Sequence, residues 1–209
     1  MTNSLEVRSF NLALVNAPLE NLLPSDSFSK IFLTASQLFP TIQQVGNPLI
    51  FLVRPSGGEL QINPMGLFFK DIQTLRFDDD LKSFFQIINL YHTECKISEL
   101  KELNLRLVFY SKASIVNGMR KLLTHDIVIP KELFQSLPDF KIHMGLRFVF
   151  TVGITRYDLK IEPRFSNLEE NYIDFNVIIP KSIKTEEVLD MINEQRTFFN
   201  DRILPFIAR

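Results

Sequence analysis

The sequence predicts an α+β protein, with helices packed on one face of antiparallel sheet. Three observations carry that expectation: stretches where apolar residues recur at every second position, stretches where they recur at i, i+3, i+4 and i+7, and Gly, Pro, Asn and Ser clusters between them. Hydrophobic residues make up 45% of the 209 positions and charged residues 22%, a balance that can bury a substantial core and does not read as disordered.

Residues 5–15 read as a strand with Phe10, Leu12 and Leu14 on one face, ended by Asn16-Ala-Pro18. Ser25 stands as an N-cap before Phe28, Ile31, Phe32, Ala35, Leu38 and Phe39, the stripe of a helix that Pro40 stops. Pro48 to Arg54 is an apolar run too short for a helix, and Pro55-Ser-Gly-Gly58 is a turn signal. Glu59-Leu-Gln-Ile-Asn63 alternates, so the two runs read as a hairpin whose second arm continues into Leu67-Phe-Phe69, with Gly66 marking a bulge or sharp bend. Asp78-Asp-Asp80 opens a second helix, striped by Leu81, Phe84, Phe85, Ile88, Tyr91, His92 and Cys95, and Leu103 to Tyr110 follows as a strand. The order strand, helix, strand, strand, helix, strand is that of a ferredoxin-like βαββαβ half over residues 1–113.

Residues 114–209 read as antiparallel strands plus a long C-terminal helix, either a second unit or a continuation of the first. Ser114 to Leu123 and Lys131 to Leu137 have short helical patterns around an extended Asp126-Ile-Val-Ile-Pro130. Met144 to Ile154 is a long strand, with Tyr157 to Ile161 as its hairpin partner across Thr155-Arg156. Tyr172 to Ile179 places Ile173, Phe175, Val177 and Ile179 on one face and Tyr172, Asp174 and Asn176 on the other. Thr185 caps a final helix, with Glu186 and Glu187 in its positive first turn, an apolar stripe from Val188 to Ile203, and Pro205 as its end. The pentapeptides Leu105-Arg-Leu-Val-Phe109 and Leu146-Arg-Phe-Val-Phe150 echo one another.

Twenty Phe against four Tyr and no Trp imply a core of rings that need no polar partner. The single Cys95 excludes an internal disulfide and a Cys-only zinc site. No basic start with a long apolar run opens the chain, and no apolar stretch approaches the ~20 residues of a membrane span. Together these features predict a cytoplasmic protein without a membrane partner. Net charge is −1, but residues 112–164 hold nine Lys or Arg against five Asp or Glu, the one net basic segment. That excess is small for a dedicated duplex binder.

With these elements placed, the chain resembles a sporadically distributed prokaryotic family of uncharacterised proteins without an assigned biochemical function. The resemblance covers most of the length. It rests on Phe39-Pro40, on Gly58-Glu-Leu-Gln-Ile-Asn63 followed by Gly66-Leu-Phe-Phe69, on Leu103-Asn-Leu-Arg-Leu-Val108, and on Tyr172-Ile-Asp-Phe-Asn-Val177 before the closing helix. The family's strand after the second helix reads Leu-Arg-aromatic-aliphatic-Asn, and its late strand carries two Asp two apart. Here Leu107 stands in for the aromatic, Phe109 for the Asn, and Asn176 for one Asp, while Arg106 and Asp174 are kept. The resemblance implies an accessory protein of mobile-element or defence-linked gene neighbourhoods and assigns no catalytic residue or cofactor.

Among candidate chemistries, His92 and Cys95 share a helix face but fall short of the three or four ligands a metal needs, so core packing explains them better. Asp78, Asp79 and Asp80 suit capping and the helix dipole, because sequence neighbours point apart. Gly57-Gly58 is a hairpin turn, since no helix and no Lys-Ser/Thr follow it. Arg106 and Arg147 carry more information: an Arg in an apolar strand must face solvent or pair with a carboxylate, and Asp174 is the partner in reach. With Tyr110, Tyr157 and Tyr172 exposed beside them, these arginines form a candidate binding face. Arg120, Lys121, His125, Lys141 and His143 form an alternative nucleic-acid or catalytic set. The sequence therefore favours a non-enzymatic interaction or regulatory protein that binds another protein, or self-associates through its C-terminal helix. RNA or single-stranded nucleic-acid binding, or metal-free RNA cleavage, are the alternatives.

Overall fold

The computed structural model of the chain describes residues 5–19, 21–47, 49–112, 145–164, 166–167 and 170–208. The strands are β1 (Val7–Val15), β2 (Thr41–Gly46), β3 (Leu49–Val53), β4 (Glu59–Asn63), β5 (Gly66–Gln73), β6 (Glu99–Leu100), β7 (Glu102–Lys112), β8 (Leu146–Val152), β9 (Thr155–Pro163), β10 (Glu170–Ile179) and β11 (Ile183–Lys184). Among the described residues the helices are α1 (Ser25–Leu38), α2 (Phe77–Glu94), α3 (Val188–Phe198) and the short α4 (Leu204–Ile207). Nine strands form one antiparallel sheet in the order β2-β3-β4-β5-β1-β7-β10-β9-β8, and β6 pairs with β11 apart from it.

The period-2 patterns decide which face is covered. Phe10, Leu12 and Leu14 lie opposite Leu107, Leu105 and Leu103, and across β7 the same face continues through Phe175 and Val177 of β10. Phe84 of α2 packs against Phe10, Phe39 and Phe69, with the Phe69 ring stacked at 4.8 Å. Phe199, just beyond α3, stacks on Phe109 at 4.0 Å and tilts against Phe175 at 5.2 Å. The helices therefore share one side of the sheet, and the Phe-rich composition becomes two ring clusters within one buried core. Among the described residues no helix covers the opposite face, called the open face below.

The α+β class, a large antiparallel sheet and a C-terminal helix are present, but the first half departs from a ferredoxin-like βαββαβ. In a split βαβ unit the first strand runs parallel to its inner neighbour; here β1 lies between β5 and β7, antiparallel to both. The cause is local. The arm expected to run from Glu59 to Phe69 folds back on itself at Pro64-Met65, pairing Asn63 with Gly66 and reversing the chain before it meets β1. Gly66 permits this because its φ is +153° and a Cβ there would collide with the Leu14 carbonyl oxygen. Strands on both sides of residue 113 share the sheet, since β7 pairs with β10 from Leu103 to Lys112.

Smaller differences have physical reasons too. β2, not expected, is exposed at every residue, so it has no burial alternation to betray it. Helix α1 starts at Ser25 itself after Pro24, and no side chain caps α1 or α2. A single 3₁₀ turn (Thr185–Glu187) precedes α3 in place of a Thr185 cap. Pro205 does not end the last helix: a π turn over Phe199–Ile203 precedes it, and α4 continues with the proline in its first turn, where no N–H is needed. The β8–β9 turn falls at Gly153-Ile154, two residues before the expected place, with Gly153 at φ +60°. The patterns read between Ser114 and Leu137 lie outside the described residues.

Candidate functional site

On the open face, β7 presents Asn104, Arg106, Val108 and Tyr110, because their neighbours Leu105, Leu107 and Phe109 take the buried side. β10 presents Tyr172, Asp174 and Asn176 by the same alternation. Arg106 lies directly across from Asn176, one diagonal step from Asp174. Its Nε donates to Asp174 Oδ1 and its Nη2 to Asp174 Oδ2, both at 2.9 Å, and Nη2 also donates to the Tyr172 hydroxyl at 2.8 Å. These contacts hold the guanidinium charged well above its ordinary range. Burial, with Asp174 beside it, pushes the Tyr172 phenol upward.

The network extends along the strands. Tyr110 pairs with Tyr172, and the Arg164 guanidinium stacks 4.2 Å from the Tyr110 ring while bonding Glu170. Arg147 grips Asp158 bidentately, at 2.9 and 2.7 Å, on the exposed side of β8 and β9, which draws the Asp158 carboxyl downward. Near the middle of the sheet, Asn11, Phe68, Lys70, Asn104, Lys160 and Asn176 surround a groove of about 370 Å³ with Arg106, Asp158 and Asp174. One rim is a β-bulge at Asp71 (φ +50°), whose N–H donates to Asn11 Oδ1 at 2.8 Å.

Of the residues read from the sequence, the open face thus brings together Arg106, Tyr110, Tyr172 and Asp174, with Arg147 at the outer strands. Tyr157 is a correction. It alternates with Asp158 and therefore faces the helices, only 5% exposed, stacked on Phe150 and donating its hydroxyl to Gln195 Oε1 at 3.1 Å. On the C-terminal helix Val188, Ile192 and Gln195 are turned into the core, while Met191 and Phe198 are half-buried. Arg120, Lys121, His125, Lys141 and His143 lie outside the described residues. Asn11, Lys70, Asp158 and Lys160 were missed, although the alternation of Arg156, Asp158, Lys160 and Glu162 with Tyr157, Leu159 and Ile161 would have placed the β9 pair.

Elsewhere, the three consecutive aspartates diverge: Asp78 pairs with Arg196, Asp79 with Arg76 and Asp80 with Arg54. Arg54 in turn donates Nε to the Gly57 carbonyl at 3.0 Å and lies over the Phe84 ring, tying the β3–β4 turn to the start of α2. His92 is 4% exposed with neither ring nitrogen hydrogen-bonded, and burial lowers its pKa to about 4. Burial, reinforced by Glu94, pushes the Cys95 thiol up to about 12. Among the described residues no three His, Cys, Asp or Glu side chains converge as a metal site requires, and no helix is long and apolar enough to cross a membrane. No known family model matches the chain, and no curated protein matches it.

Proposed function

We propose that the chain is a non-enzymatic interaction protein of the cytoplasm that binds another protein through the open face of its sheet. The observation that carries this reading is the internal pairing of that face. Arg106 and Arg147 are each held bidentately by an aspartate, and the remaining lining of the groove is three amides, two lysines and the apolar Leu12, Ala13, Phe68 and Phe69. A backbone-tracking nucleic-acid site needs cations free to neutralise phosphates. A groove whose arginine is already paired, with Lys70 and Lys160 set among amides and aromatic side chains, suits the mixed polar and apolar groups of a polypeptide instead. The family resemblance belongs with this reading, as does the role it implies: an accessory protein of mobile-element or defence-linked genes.

A photoreactive amino acid at Asn176, introduced in the producing cell, tests the proposal. One protein is expected in near-stoichiometric cross-link, lost with Lys160→Glu and absent when the probe replaces Lys82 on the exposed side of α2. Equal capture from both positions would overturn it. In parallel, fluorescent single-stranded RNA at low and moderate salt is expected not to bind; binding that falls steeply with salt would replace the proposal with nucleic-acid recognition.

A further inference from the structure

The two edges of the nine-stranded sheet are not alike. β2 is broken by a register shift between Ile42 and Gln44 and follows Pro40, features that blunt an edge against pairing. β8 keeps an unbroken register with β9 from Leu146 to Val152 and contains neither Lys nor Pro. Its outer side chains are bare, with Val149 70% exposed. Val152 and Thr155 close a two-residue turn, and in such hairpins the closing pair is hydrogen-bonded and bonded pairs alternate from there. Phe148 and Phe150 therefore spend their backbone groups on β9. Arg147, Val149 and Thr151 direct theirs outward, with no partner among the described residues.

We propose that β8 is a self-association strand, pairing antiparallel with β8 of a second copy about a two-fold axis at Val149. That register uses every outward N–H and C=O of Arg147, Val149 and Thr151. It sets Val149 against Val149 of the second copy, Arg147 against Thr151, Phe148 against Phe150 and Leu146 against Val152. In this register no like charges meet, ring lies against ring and aliphatic against aliphatic, and that self-complementarity selects a second copy of this chain. Arg147 is the one charged side chain on β8 and meets a hydroxyl, whereas a parallel, in-register arrangement would set Arg against Arg. On the helix side, Phe148 meets Phe206 edge-on at 6.0 Å, and Phe206, 53% exposed, gains cover from the added strand. The pairing does not depend on the open-face reading, since it uses the sheet's edge.

Sedimentation velocity of the full chain over roughly 1–200 μM tests the proposal. The wild type is expected to dimerise, with the Arg147, Val149 and Thr151 amides protected from hydrogen exchange. Val149→Lys, which sets like charges on the axis yet finds Asp158 beside it in the monomer, is expected to give a monomer of unchanged circular dichroism in which those amides exchange freely. Val149→Cys is expected to form an intermolecular disulfide on mild oxidation, and Val45→Cys on the β2 edge to form none. A wild type that stays monomeric throughout, or a dimer that Val149→Lys leaves intact, overturns the proposal. Should Val149→Lys fail to fold, the cysteine variants decide it: no cross-link at position 149, or an equal one at position 45, sinks it.

Discussion

Arg106 and Arg147 stand in the same relation to the strand beside them: each grips the aspartate lying directly across from the valine two positions on. For Arg106 that valine is Val108, opposite Asp174; for Arg147 it is Val149, opposite Asp158. The two Leu-Arg-x-Val-Phe segments thus repeat one local device, in which a diagonal reach frees the guanidinium plane to meet both carboxylate oxygens. What differs is depth. Asp174 is 7% exposed, and Arg147 projects from an edge strand.

That difference sets the expected cost of breaking each pair. Arg106→Ala strands a buried carboxylate and is expected to lower unfolding free energy by about 3 kcal/mol, whereas Arg147→Ala is expected to cost far less, because water screens the exposed pair. Urea denaturation of the two variants checks the ordering. The double variant Arg106→Met/Asp174→Leu is expected to recover much of the loss, because replacing both charges leaves neither one uncompensated.

His92 makes stability depend on pH. Its pKa is about 4 in the folded chain against an ordinary 6.5, so below pH 6.5 the unfolded state takes up a proton that the folded state refuses. Stability from this residue is full above pH 6.5 and is lost as pH falls towards 4, by up to about 3 kcal/mol. His92→Leu is expected to flatten that part of the stability profile, measured by urea denaturation at pH 7, 6, 5 and 4.

Gly66→Ala is expected to destabilise by about 2 kcal/mol or more, because the new Cβ meets the Leu14 carbonyl and the backbone is at positive φ. Hydrogen exchange reads the location: the β5 and β1 amides should lose protection first.

Phe84→Ala removes the ring shared by Phe10, Phe39 and Phe69 and leaves Arg54 without its platform. An expected loss of about 3–5 kcal/mol follows from core truncation, seen as a lower urea midpoint with an unchanged slope.

The sequence showed β1, α2, β7 and β10 because each buries one face, so their periods of 2 and 3.6 are printed in Phe10-Leu12-Leu14, in Leu81-Phe84-Ile88-Tyr91 and in Ile173-Phe175-Val177. It obscured the reversal at Pro64-Met65, because apolar residues continue on both sides of that turn and only Asn63-Pro64 and Gly66 mark it. Arg106 with Asp174 was legible because an apolar strand cannot hold an unpaired guanidinium. Tyr157 was expected on the exposed face, but its position in the alternation sends it inward, where Gln195 accepts its hydrogen bond. The groove was not legible at all, since its lining is set by strand order, and strand order follows from the turns.

The neighbours of β7 carry a consequence for how the chain is made. On one side lies β1, already synthesised when β7 emerges from the ribosome; on the other lies β10, nearly sixty residues downstream. At ~5–20 residues per second, β7 waits roughly 3 to 11 s with one apolar-flanked edge unoccupied. Contacts this distant in sequence also slow the search for the native pairing. The nascent chain should therefore pass through an adhesive half-sheet that chaperones are suited to shelter, and pulse-labelling would find β10 the last of the central strands to gain protection.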